Sequence, residues 1–126
     1  MMMSEEKHLS DFLNGKTEYT LELFRFFIDQ LAELGEIKLQ PTKSMIAIES
    51  KSSFAYITQL GKNFIHVVIP FDRAYEDNLC FTKIAQVPGT NQFNHHLRVF
   101  FKEDINEEVR SFLKMAIRKD PETSSG

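Results

Sequence analysis

Two adjacent histidines, His95 and His96, are the residues whose type and spacing most directly suggest chemistry in this sequence. Imidazole nitrogens bind metals and act as general acids or bases. The pair lies in a run of alternating apolar residues, which is typical of a strand, and neighbours on a strand point to opposite faces. The two rings therefore cannot bind one metal ion together. We expect His95 to face the core and His96 the other side of the sheet.

The same alternation predicts a group of rings and cations on the face that His96 occupies. In the run 64–71, Ile65 and Val67 face the core, which leaves Phe64 and His66 on the opposite side. The predicted group comprises Tyr56, Phe64, His66, His96, Arg98 and Phe100. Such a mixture can hold an anionic or aromatic ligand. The simpler alternative is a half-exposed sheet face in which these residues serve strand pairing.

Lys43 is a further candidate for ligand binding. The complete set of candidates is Tyr56, His66, His96, Arg98 and Lys43. Lys43 follows Pro41-Thr42 at a strand entrance. Lysines at sheet edges also discourage the addition of a further strand, which is the alternative role for Lys43.

Acidic residues form a stripe on the first long helix. Four carboxylates fall within about 60° of one another at 100° per residue, and they are Glu18, Glu22, Asp29 and Glu33. Hard oxygen ligands of this kind could attract a divalent cation. Arg25 has the spacing to pair with Glu22 and Asp29, and a solvated helix face is the alternative.

Familiar catalytic signatures are absent from the sequence: it contains no glycine-rich phosphate loop, no G-x-S-x-G, no H-E-x-x-H and no cysteine pair for zinc. Cys80 is the single cysteine, which favours a reducing cytoplasm and a thiol that packs as a small apolar group. A net charge of −3 disfavours nucleic acid as a partner. The sequence contains no apolar run long enough for a membrane span.

Helical periodicity predicts two long helices and one short helical turn. The turn covers Leu9 to Leu13. The first long helix begins after Thr17 as N-cap and ends at Gly35, and the second begins at Asp104, with Glu107 completing a capping box. We expect residues 1–16 to form an N-terminal segment, residues 17–119 a single domain, and residues 120–126 a disordered tail.

Between the helices the period changes to two, which predicts five or six short strands. The runs are 37–39, 45–49, 54–60, 64–71, 81–87 and 93–101. The connections are too short for parallel crossovers. The sequence therefore predicts an α+β fold, in which an antiparallel meander carries an N-terminal and a C-terminal helix on one face.

The first long helix is more apolar than one sheet contact requires. Its apolar side chains span an arc of about 220 to 240°, roughly twice the usual stripe. The second helix and the segment Leu9–Leu13 could cover the excess. The alternative is an interface through this helix, either in a homodimer or with a protein partner.

Four segments in order resemble a bacterial family, the domain-of-unknown-function 5655 family, whose members are often labelled "predicted transport protein". The segments are 41–48 (PTKSMIAI), 54–56 (FAY), 96–99 (HLRV) and 103–109 (EDINEEV). The resemblance covers residues 8 to 118 and implies a compact α+β domain with no agreed catalytic role. The chain departs from the family pattern in the loop after Pro70.

The order of helix, strands and helix is also similar to that of the frataxins, whose members handle iron through acidic residues on the first helix and the adjoining strand. Three hypotheses for function follow. The first is a ligand-binding or protein-interaction module that uses the sheet face opposite the helices. The second is frataxin-like iron handling through the acidic stripe. The third is an unrecognised enzyme or enzyme subunit centred on His66, His96 and Arg98. The sequence names no cofactor, ligand or partner.

Overall fold

Residues 8–118 are described by a computed structural model, in which they form three α-helices and six strands. The helices are α1 (Leu9–Leu13), α2 (Glu18–Leu34) and α3 (Glu107–Arg118), with a 3-10 turn at Lys102–Asp104 before α3. The strands are β1 (Lys38–Pro41), β2 (Ile46–Glu49), β3 (Ser53–Leu60), β4 (Ile65–Phe71), β5 (Lys83–Gln86) and β6 (Phe93–Val99). The predicted tail 120–126 lies outside the described residues.

The long helix α2 begins and ends where its caps were predicted. The hydroxyl of Thr17 accepts a hydrogen bond from the Thr20 N–H at 3.1 Å, and the N–H of Gly35 donates to the Leu31 carbonyl at 3.2 Å. Gly35 has an extended backbone that any residue can adopt. Glycine suits this position because the space for a side chain is tight. A Cβ at this position would lie 3.2 Å from the Ile117 side chain of α3.

The predicted start of the second helix at Asp104 is wrong by one short turn. Asp104 ends the 3-10 turn, and its carboxylate accepts hydrogen bonds from the N–H groups of Phe100 at 2.9 Å and Phe101 at 3.0 Å. The side chain therefore reaches back to the end of β6. Asn106 caps α3 instead, because its Oδ1 accepts from the Val109 N–H at 2.9 Å.

The six strands of the described chain form one open antiparallel sheet in the order β1-β2-β3-β4-β6-β5. The α+β class is confirmed, and β1 to β4 form the predicted meander. The last two strands depart from a simple meander, because β6 lies between β4 and β5. The loop 72–82 carries the chain past the position of β6, and β6 then pairs with β4 along all seven of its residues.

Both long helices lie on the same face of the sheet, as predicted. They contact each other and β4. The core between the layers contains alternate residues of β4 and β6, among them Ile65, Val67, Leu97 and Val99, none more than 2% exposed. Burial of such side chains is the main source of stability in a domain of this size.

Contacts within the chain cover most of the wide apolar arc of α2. Leu9, Phe12 and Leu13 of α1 pack against the same core, together with half-buried residues of α2 itself. Gln30 of α2 accepts a hydrogen bond from Arg110 of α3 at 2.5 Å. Homodimerisation through α2 stays a prediction.

Removal of the α3 cap provides the first test. We expect Asn106→Ala to lower the free energy of unfolding by about 1 kcal/mol, because the Val109 N–H loses its acceptor. Asn106→Asp should preserve the cap. Urea unfolding measures the difference, and Asn91→Ala in the exposed turn before β6 is the control. Equal effects of the two alanine substitutions would contradict the capping role.

Candidate functional site

Strand register places the candidate residues on the sheet face opposite the helices. His66 of β4 lies directly opposite Arg98 of β6, and Val68 lies opposite His96. On the next strand out, Lys83 of β5 pairs with His96. The middle of this face therefore carries two histidines together with Lys83 and Arg98.

A chain of hydrogen bonds links three of these side chains. Arg98 Nε donates to His66 Nδ1 at 3.0 Å, and His66 Nε2 lies 2.9 Å from His96 Nδ1. Arginine Nε always carries a proton, so His66 Nδ1 must accept. His66 then carries its proton on Nε2 and donates it to His96 Nδ1. By the same reasoning the proton of His96 sits on Nε2, the nitrogen that this chain of bonds leaves for a ligand.

The environment keeps both imidazoles neutral. Burial, followed by the nearby His96 and Arg98, lowers the pKa of His66 below its ordinary value of 6.5. Burial, followed by Lys83 and then His95, lowers the pKa of His96 in the same way. Near pH 7 the face therefore carries positive charge on Arg98 and Lys83 and neutral N–H donors on the histidines.

Arg98 is also held by an aromatic ring. Its guanidinium carbon lies 4.7 Å from the centre of the Phe64 ring, and the Phe64 ring lies 5.5 Å from that of Phe100. Gly61 makes room for Phe64, since a Cβ there would lie 2.2 Å from the ring. A stacked and hydrogen-bonded guanidinium loses little side-chain freedom on meeting a ligand.

His66, His96, Arg98 and Phe100 border an open depression of about 710 Å³. Its lining residues are Thr58, Gln59, His66, Thr82, Lys83, His96, Arg98 and Phe100. Within the described chain this lining includes no carboxylate. Two cations, an imidazole N–H and hydroxyl groups are the donors that oxyanions prefer. The depression can therefore hold a small anion.

Three of the five predicted ligand-binding residues come together in this depression: His66, His96 and Arg98. Tyr56 lies on the same face, separated from His96 by Val68, and does not line the depression. Lys43 is exposed in the turn between β1 and β2, away from the lining.

Sequence reasoning missed Lys83, the second cation of the site, as well as Thr58, Gln59 and Thr82. Alternation in β5 places Lys83 and Ile84 on opposite faces, which was a usable signal. No pattern in the sequence predicted that β5 lies beside β6 at the edge of the sheet. An irregularity in β3 between Ile57 and Gln59 lets both Thr58 and Gln59 reach the depression.

The acidic stripe of α2 is not assembled into a site. Glu18, Glu22, Asp29 and Glu33 are exposed, and Arg25 pairs with Glu18 at 3.7 Å rather than with Glu22 or Asp29. Among residues 8–118, no three side chains of the His, Cys, Asp or Glu type are grouped so as to hold a metal ion.

His95 faces the core, opposite to His96, as the alternation predicted. It is fully buried. Its Nδ1–H donates to the Phe93 carbonyl at 3.0 Å, and its Nε2 accepts from the Tyr75 N–H at 3.1 Å. The rings of Phe71, Tyr75 and Phe81 lie 4.8 to 5.6 Å away. His95 thus anchors the loop 72–82, which leads into β5 and so brings Lys83 to the site.

The thiol of Cys80 is not activated. Burial, followed by the charge of Glu108, raises its pKa to about 12. A protonated thiol is a poor nucleophile. This agrees with the packing role predicted for Cys80.

Fold and site together define a class: an α+β domain with one helix-covered face and one open face that bears a cationic depression. The chain belongs to the DUF5655 family, a domain of unknown function, whose family model matches residues 9–118. No match was found among curated proteins or among solved structures, and the frataxin analogy is not confirmed. Within the described residues, no helix has the length and apolar character needed to cross a membrane.

The hydrogen-bond chain predicts three histidine tautomers. A long-range ¹H–¹⁵N correlation spectrum at neutral pH should show His66 and His96 protonated at Nε2, and His95 protonated at Nδ1. The exposed His8 provides the reference signal in the same spectrum. A His66 ring protonated at Nδ1 would contradict the bond from Arg98.

Stability should depend on pH through His95. Burial lowers its pKa in the folded chain below 6.5, and the hydrogen bond to the Phe93 carbonyl opposes this shift without cancelling it. The unfolded chain therefore takes up this proton first, and the stabilisation is complete above pH 6.5 and falls as the pH decreases toward the folded-state pKa.

Urea unfolding over this pH range measures the slope. His95→Gln should reduce it, whereas His8→Gln at an exposed position should leave it unchanged. The same slope in the wild type and in His95→Gln would show that other groups are responsible.

Proposed function

We propose that this domain is a binding module for a small organic anion, which it holds in the depression on its open sheet face. The observation that carries the proposal is the convergence of Lys83, Arg98 and the Nε2–H of His96 on a surface without a carboxylate in its lining. Arg98 and His96 are held in place by their hydrogen bonds to His66 before a ligand arrives, which lowers the cost of ordering them on binding.

The histidine pair supports binding better than catalysis or metal ligation. His66 uses one nitrogen to accept from Arg98 and the other to donate to His96. A ring bonded at both nitrogens orients its neighbours. The role that this arrangement gives His66 is to fix the proton of His96 on the side where a ligand can accept it.

A reducing compartment such as the cytoplasm is the proposed location. The single cysteine of the chain supports this, since it has no second cysteine with which to form an intrachain disulfide.

Anion titration followed by NMR tests the proposal. Acetate and inorganic phosphate should shift the ring signals of His66 and His96 and the side-chain signals of Arg98, and added salt should weaken the effect because exposed charges are screened. Lys83→Gln should weaken binding about fivefold, because one exposed ion pair contributes up to about 1 kcal/mol.

Lys114→Gln is the matched control, because Lys114 is an exposed lysine on α3 that does not line the depression. Its affinity for the anion should equal that of the wild type. Equal affinities for all three proteins, or shifts confined to other surfaces, would refute anion binding at this depression.

A further inference from the structure

A second depression adjoins the cationic one. It has a volume of about 350 Å³ and shares Thr82, Arg98 and Phe100 with its neighbour. Arg98 and Phe100 therefore form a common wall, and a ligand bound at one side can extend past them to the other.

The second depression differs in character from the first. Leu79 at its rim is 97% exposed, although it is a large apolar side chain. Cys80 and Phe100, both half-buried, supply further apolar surface. An exposed aliphatic side chain at the edge of a cleft that an aromatic ring also lines is suited to cover an apolar group.

The acidic residues of the second depression exclude a second anionic group. Asp104 already accepts from two backbone N–H groups, and Glu108 lies close enough to Cys80 to raise the pKa of its thiol. Both carboxylates would repel a negative charge placed between them. Lys83 and His96 thus line only the first depression, the carboxylates and Leu79 line only the second, and Arg98 lies at the boundary between them.

We propose that the ligand is an amphiphilic monoanion, with an oxyanion head at Lys83, His96 and Arg98 and an apolar tail that passes over Phe100 toward Leu79. This inference rests on the proposed function and adds the tail. The terminal nitrogens of Arg98 remain available for the head, because its bond to His66 uses Nε. A carboxylate matches that paired geometry.

A series of straight-chain carboxylates tests the tail. Isothermal titration calorimetry with acetate, butyrate, hexanoate and octanoate should show tighter binding with length, by about fourfold for each methylene that becomes buried. Leu79→Ser should remove much of the gain for octanoate and leave acetate unchanged. Met115→Ser, at an exposed apolar residue of α3 that lines neither depression, is the matched control.

The outcomes separate this inference from the proposed function. The proposed position of the tail is refuted if affinity is equal along the series, or if Leu79→Ser leaves the octanoate affinity unchanged. Either result leaves anion binding intact. Hexanamide is the uncharged analogue of hexanoate, and if it binds as tightly as hexanoate, the cationic head site is refuted and the amphiphilic anion with it. Length-dependent binding that requires both the charge and Leu79 supports the inference.

Discussion

In the antiparallel pairing of β4 with β6, His66 lies opposite Arg98 and Val68 lies opposite His96. This register brings the three polar side chains within hydrogen-bonding distance, and the same pairing aligns Ile65 with Val99 and Val67 with Leu97 in the core. A shift of one residue would move every side chain of β6 to the other face. The packing of the core therefore determines the geometry of the open face.

β6 contributes to both faces through its alternation. His95 is fully buried among aromatic rings and bonds to the Tyr75 N–H, which holds the loop 72–82 against the core. That loop leads into β5 and so positions Lys83 beside His96. One histidine thus positions the loop that supplies the second cation of the site, and its sequence neighbour is part of the site itself.

The two faces of the sheet have different roles. α2 and α3 cover one face and bury the apolar side chains that stabilise the fold. The other face has no helix over it within the described chain, so its histidines and arginine satisfy one another through hydrogen bonds while remaining accessible. Their pKa shifts follow from that arrangement, because partial burial and neighbouring cations both disfavour protonation of His66 and His96.

The sequence by itself determined the local elements and the orientation of their side chains. Thr17 and Gly35 marked the ends of α2, and alternation separated His95 from His96 and grouped His66 with Arg98, because capping and strand periodicity depend on residues close in the chain. The prediction failed at the start of α3. Asp104 and Asn106 can both cap a helix, and the bonds of Asp104 to the end of β6 leave Asn106 as the cap.

The tertiary structure decided the rest. Pairing between residues distant in sequence places β6 between β4 and β5 and brings Lys83 beside His96. It also brings His66 within bonding distance of His96 and leaves Lys43 and Tyr56 outside the depression. Strand order and register are set by the packing of the whole core, which local pattern does not encode.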